Sequence, residues 1–183
     1  MSNIDDFKGQ LEGGGARANL FELNMPNPAS IGFDINQERL SFMCKGAQLP
    51  ASVVAQIDVP YRGRQLKVAG DRTFENWTIT VFNENSQLLR SGFESWMNSL
   101  NNHEENKGEM NPLLYMVDLE INQLDRKGEQ TKRYQLKGAF PVNVSAIDLS
   151  YDANDAIEEF TVEFAYQYWT CLLYTSDAAD DVR

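Results

Sequence analysis

Histidine and cysteine are nearly missing from this chain of 183 residues, which holds one of the first and two of the second. Cys44 and Cys171 are too few and too far apart for a disulfide framework or a cysteine-based zinc site. A Ser-His-Asp or Cys-His site would have to be built on His103, which stands in the polar run Asn101–Gly108 and reads as a solvated loop residue. Cys44, beside Phe42 and Met43, reads as an inert, half-buried thiol. Adjacent side chains in His103-Glu104-Glu105 point apart, so that triplet makes no metal site. Apolar runs of about 20 residues, the length of a membrane span, are absent. Residues 1–10, MSNIDDFKGQ, lack the basic-then-apolar layout of a secretion signal, and the expected setting is a cytoplasm. Positive charge is scarce as well. Sixteen Lys and Arg face 27 Asp and Glu, for a formal net charge of −11, and so acidic a surface repels phosphate backbones. A tight nucleic-acid binder is thereby excluded.

What the chain does have is enough apolar side chain, 42% of residues, for one domain with a core of its own. Residues 1–16, with Gly13-Gly14-Gly15, show little periodicity and read as a flexible arm. From Ala18 to Met25 the apolar residues alternate as in a strand, and Leu40–Lys45 reads as a second. Phe74–Asn83 (FENWTITVFN) is the clearest strand of the series. A helix follows, with Asn85 or Ser86 as N-cap and Leu88, Leu89, Phe93, Trp96, Met97 and Leu100 as its apolar stripe. Strand patterns return at Leu114–Leu124, Lys132–Phe140, Val142–Leu149 and Ile157–Trp169. Strands without interleaved helices predict a mainly β fold: an antiparallel barrel or sandwich with one flanking α-helix.

One segment stands apart. Val53–Val68 holds two β-rich runs around Arg62-Gly63-Arg64, which reads as the tip of a long protruding hairpin. Val53, Val54, Ile57 and Val59 form a β-branched series that a hairpin projecting alone could not keep dry. Arg62, Arg64, Lys67 and Arg72 crowd basic charge around its tip and base, suited to an acidic surface on another copy. The alternative is a hairpin folded back on its own sheet, with the charges serving as edge protection. No catalytic constellation emerges. The pairs available among Glu158, Glu159, Asp152 and Asp155 are not brought around a substrate by anything in the sequence. Gly13–Gly15 lacks the spacing and the lysine of a phosphate loop, and the sequons at Asn76 and Asn143 mean little without a secretion signal.

After Trp169 the alternation stops. The segment Cys171–Asp181 (CLLYTSDAADD) resembles a translated sequencing-library adapter, so Thr170–Arg183 is expected to be foreign and dispensable.

Val68–Val81, VAGDRTFENWTITV, resembles the signature segment of the tail tube proteins of contractile-tailed bacteriophages. Ala18-Asn19-Leu20-Phe21, Phe42 with Cys44-Lys45 before Leu49-Pro50, Lys137-Gly138 with Phe140-Pro141, and Tyr166–Trp169 recur in the same order in that family. The resemblance covers Arg17–Trp169 and implies one β domain over 17–169. It also implies hexameric rings of this chain stacking into a hollow tube that conducts genome DNA, without catalytic residue, cofactor, metal or membrane. The implied location is the virion tail, assembled in the host bacterial cytoplasm, with sheath, tape-measure, baseplate and tail-terminator proteins as partners. The hairpin would join rings. Close competitors are a baseplate tube-initiator and a tube protein like that of type VI secretion; an acidic β-sandwich binding module is the competitor from another class. A lumen that passes DNA needs a wall that does not hold it, which suits negative charge. On Tyr115–Ile121 the apolar set Tyr115, Val117, Leu119 and Ile121 is expected to face the core, leaving Asp118 and Glu120 opposite; on the final strand Phe160, Val162 and Phe164 leave Glu159 and Glu163 opposite. These four are the candidate lumen residues, and alternation does not say which face is inside.

Overall fold

A computed structural model describes residues 15–30 and 35–173, together with Ile4, Phe7 and Gly9. Its elements are β1 (Phe21–Asn24), α1 (Gln37–Met43), β2 (Cys44–Ala47), β3 (Val53–Tyr61), β4 (Arg64–Thr73) and β5 (Trp77–Phe82). They continue with α2 (Leu88–Leu100), α3 (Pro112–Tyr115), β6 (Val117–Leu124), β7 (Gln130–Val144), β8 (Glu159–Ala165) and β9 (Tyr168–Leu173). Every ladder is antiparallel.

The strand β7 organises the body. Its first part lies between β6 and β9, with Tyr134 opposite both Ile121 and Cys171. Its last part pairs with β8, from Phe140 opposite Ala165 to Val144 opposite Val162. One layer is therefore β1-β6-β7-β9 and the other β2-β5-β8-β7, joined through a shared strand. The bend falls at Gly138, whose φ of 61° L side chains rarely adopt, and a Cβ there would meet Gln167 Cγ at 3.1 Å. The layers do not close on each other, so the arrangement is a sandwich and not a barrel.

Alternation fills the space between the layers. Leu119, Ile121 and Leu136 come from one side and Ile79, Val81, Phe160, Val162 and Phe164 from the other, all almost fully buried. The helix α2 seals the open flank with Leu89, Phe93 and Trp96. The Phe164 ring meets those of Trp77, Phe93 and Trp96 at centroid distances of 5.7, 6.1 and 6.0 Å. Contacts of this kind add roughly 0.5–1.5 kcal/mol each beyond area burial. The Trp96 indole N–H donates to the Tyr115 carbonyl at 3.0 Å, so the buried ring leaves no polar atom stranded.

Several elements differ from the sequence reading, each for a local reason. Leu40–Lys45 is not one strand. Asn36 caps a helix by accepting from the Arg39 amide at 2.9 Å, Leu40 turns into the core, Phe42 is 81% exposed, and only Cys44–Ala47 pairs with β5. The helix α2 starts after Gln87, a left-handed N-cap without a side-chain bond, not at Asn85 or Ser86. Asn111 and Pro112 start the short helix α3, which takes Leu114 and Tyr115 out of the following strand. Pro141 does not end β7, because it sits where the β7–β8 register slips and needs no ladder donor. The chain turns after Tyr166, so β8 and β9 belong to different layers and Tyr168 is half exposed.

The expected tail also needs correction where it is described. Thr170–Leu173 extends β9, with Thr170 opposite Gln135, Cys171 opposite Tyr134 and Leu173 opposite Lys132. Residues 174–183, and most of the expected 1–16 arm, lie outside the described residues. Ending the chain at Trp169 removes four ladder positions that ending it at Leu173 keeps. The Trp169 version should melt several degrees lower in circular dichroism; equal midpoints would mean that the outer half of β9 adds no stability.

Candidate functional site

The strands β3 and β4 form a two-stranded sheet of their own, paired with neither layer. Arg62 (φ 44°) and Gly63 (φ 80°) make the tip, and positive φ at both central residues is the turn whose twist matches two antiparallel strands. The register assigns the faces. Ile57 opposite Val68, Val59 opposite Leu66, and Tyr61 opposite Arg64 share one; Gln56 opposite Ala69, Asp58 opposite Lys67, and Pro60 opposite Gln65 share the other. The Arg62 guanidinium stands 5.4 Å from the centroid of the Tyr61 ring. At the base, the Trp169 indole N–H donates to the Ala51 carbonyl at 3.0 Å and the Trp77 indole N–H to that of Gln48, tethering the hairpin's root to both layers.

The hairpin does not fold back on its own sheet. Ile57 is 53% and Leu66 61% exposed, and the register slips where Val54 faces Arg72, two residues from the root. Of the expected interface residues, Val53, Ile57 and Val59 lie on the apolar face, and Val54 lies on the other with Arg72 and Lys67. Tyr61, Leu66 and Val68 belong to the apolar face too, and the alternation of Leu66 and Val68 within RQLKVAG is the signal that could have found them. Among the described residues, no carboxylate pairs with Arg62 or Arg64.

The four candidate lumen carboxylates lie on two different surfaces. Asp118 and Glu120 sit on the outer face of the β1-β6-β7-β9 layer, and Glu159 and Glu163 on that of the other. Asp118 takes the Lys137 ammonium at 2.7 Å and the Gly138 amide at 3.0 Å. Partial burial opposes its charge, yet those two donors outweigh it and hold the carboxyl below the usual aspartate range. Glu120 accepts from the Arg133 guanidinium, and from the Gln135 and Asn24 amides at 3.2 Å each. Glu159 pairs with Lys45 at 2.6 Å, and Glu163 lies between Thr78 and Asn143 on the flanking strands. Burial pushes the Cys44 thiol up to about 11, which leaves it protonated and unreactive at neutral pH.

The hairpin thus projects from an antiparallel sandwich with one apolar face uncovered, and comparison with known proteins identifies the family. The model of the family described as phage tail tube protein matches residues 16–172. The chain belongs to the phage tail tube protein family. The tail tube protein gp19 of Enterobacteria phage T4 is 33% identical over 168 residues, which is 91% of this chain and 98% of the relative. The tail tube protein of Serratia phage KSP90 is 27% identical, over 91% of this chain and 95% of its own. Solved structures share the fold as well. A chain of the terminating cap of the anti-feeding prophage tube has a TM-score of 0.60 at 14% identity, covering 87% of this chain and 92% of that one. A chain of the sheath–tube complex of the extracellular contractile injection system PVC has a TM-score of 0.58 at 13% identity, covering 95% and 100%. As a member of this structural family, the protein is a component of the virion tail.

Because the folded Asp118 carboxyl titrates below its unfolded value near 3.9, its contribution is present above that pH and disappears as pH falls through the lower folded value. Both partners are partly exposed, which limits the pair to under about 1 kcal/mol. Asp118→Asn should therefore melt slightly lower at pH 7, and the gap should narrow in calorimetric scans as pH falls below the usual aspartate range. A gap that persists there would mean that the charge of Asp118 is not what stabilises the bend.

Proposed function

We propose that this chain builds the tail tube: six copies form a ring, rings stack through the hairpin, and genome DNA leaves through the bore. The observation that carries this reading is the hairpin, whose apolar face is bare in a single chain. A monomer would leave Ile57, Val59, Tyr61, Leu66 and Val68 in water, whereas a neighbouring copy would cover them at roughly 25 cal/mol per Å². The number six comes from the family resemblance. Solved chains of this fold occur in a baseplate, a terminating cap and a sheath–tube complex, which supports sheath, baseplate and terminator proteins as partners here, with a tape-measure protein inside. The near full-length match to gp19 favours a tube subunit over a baseplate initiator. The role is mechanical, without catalysis, cofactor, metal or membrane, and assembly proceeds in the host bacterial cytoplasm.

The wall of the bore is the β1-β6-β7-β9 layer in this reading. Its ladder ends at β1 on one side and β9 on the other, and each end strand offers an unpaired edge. Strand pairing between neighbours would turn six such layers into one continuous wall. The surface facing the bore would then carry cross-strand rows such as Asn24-Glu120-Gln135-Thr170, and Glu22, Asp118 and Glu120 against Arg133 and Lys137. That face is hydrated, slightly acidic and internally paired, so it offers a polyanion neither counterion release nor a trap.

Two experiments test the reading. Ile57→Asp places a charge in the apolar contact, at a cost of a few kcal/mol if it is buried there; long tubes should vanish from electron micrographs while smaller oligomers persist. Wild-type tubes from that variant would remove the hairpin from ring joining. For the bore, Glu22→Lys and Glu120→Lys should leave tubes assembled yet slow genome ejection from phage particles, and Glu163→Lys should not. The opposite ranking would move the lumen to the other layer.

A further inference from the structure

We infer that the hairpin's partner is the acidic connection between β7 and β8 of a second copy, an inference that rests on the reading of the hairpin as a joint. Residues 148–159, DLSYDANDAIEE, hold five acidic residues and no basic one. Three large apolar side chains stand out of this segment: Leu149 at 81% exposure, Ile157 at 70% and Tyr151 fully exposed. Glu158 and Glu159 are engaged by Asn83 and Lys45. Asp148, Asp152 and Asp155 have no cationic partner among the described residues. A cleft runs beneath them, lined in part by Ile147, Leu149, Tyr151 and Ile157.

Each feature has its counterpart on the hairpin. The hairpin offers an apolar face with unpaired arginines at its tip; the connection offers exposed apolar side chains among unpaired aspartates. Two hairpins facing each other would also cover their apolar faces, but that symmetric contact brings like charges together and closes after two copies. Contact between two different patches of one chain repeats without end, which is what a stack needs. Met110 and Leu113 also stand exposed, but in the loop before them Glu105 is paired with Lys107 and Glu109 accepts from the Asn111 amide, which leaves less uncommitted negative charge for the hairpin's arginines.

The test uses two full-length variants, each with its fold checked by thermal melting. In the first, Arg62→Glu and Arg64→Glu reverse the hairpin tip; in the second, Asp152→Arg and Asp155→Arg reverse the connection. Neither alone should pellet more than about a tenth of the wild-type tube mass, and an equimolar mixture should restore tubes, because every contact between alternating rings is again between opposite charges. Wild-type tubes from the first variant would overturn this inference, while the hairpin reading, which rests on the apolar face, stands or falls with Ile57→Asp. Wild-type tubes from the second, or a mixture that fails to assemble, would overturn this inference and leave the hairpin reading standing. Should either variant unfold, an Arg62→Cys chain mixed with an Asp152→Cys chain, both carrying Cys171→Ser, decides the same point. A disulfide-linked heterodimer under mild oxidation supports the contact, and its absence overturns it.

Discussion

At Gly138 one strand leaves the first layer and enters the second, and Asp118 holds the bend from the neighbouring strand. The carboxylate reaches the Gly138 amide and the Lys137 ammonium together, fixing the residues on which the change of direction turns. Gln167 adds a third point, donating its amide to the Lys137 carbonyl at 2.9 Å. Everything else in the body follows from where this bend falls. It decides that β9 pairs with the first part of β7 and β8 with the last, and so it directs Leu136 and Phe160 toward one core. A side chain at position 138 would strain the backbone and crowd Gln167 at once.

The electrostatics of the chain divide by location. Carboxylates on the layer faces are mostly matched within their own layer: Asp118 by Lys137, Glu120 by Arg133, and Glu159 by Lys45 across β5. The hairpin tip and the β7–β8 connection hold charge with no such partner in the same chain. A net charge of −11 is therefore a poor guide to what a neighbouring molecule meets, because the hairpin tip presents positive charge and the β7–β8 connection negative charge.

Alternation made the core of this fold legible in advance. Leu119 and Ile121 in β6, and Phe160, Val162 and Phe164 in β8, lie on the buried face that a period of two assigns them. Both strands of the hairpin were legible from the two β-rich runs around its Arg-Gly-Arg tip, but its apolar residues were singled out only in the first run, because Lys67 and Gly70 interrupt the second. Leu40–Lys45 misleads because Leu40, Phe42 and Cys44 alternate by accident, while the cap at Asn36 decides for a helix. The candidate carboxylates were placed correctly on outward faces, yet their division between two layers depends on the bend at Gly138, and alternation within a strand contains no information about that bend.

Sharing β7 between both layers also has a mechanical side. A sandwich whose halves meet only through side chains can slide apart along its greasy midplane. Here a single covalent strand runs through both sheets, so a pull on one is carried to the other by backbone bonds and by hydrogen bonds loaded side by side, not one after another. A particle that must stay rigid while the structure around it shortens would gain from such a tendon, and the hairpin hangs from it at a root fastened by the Trp77 and Trp169 indoles and by the Phe74 ring against Tyr166.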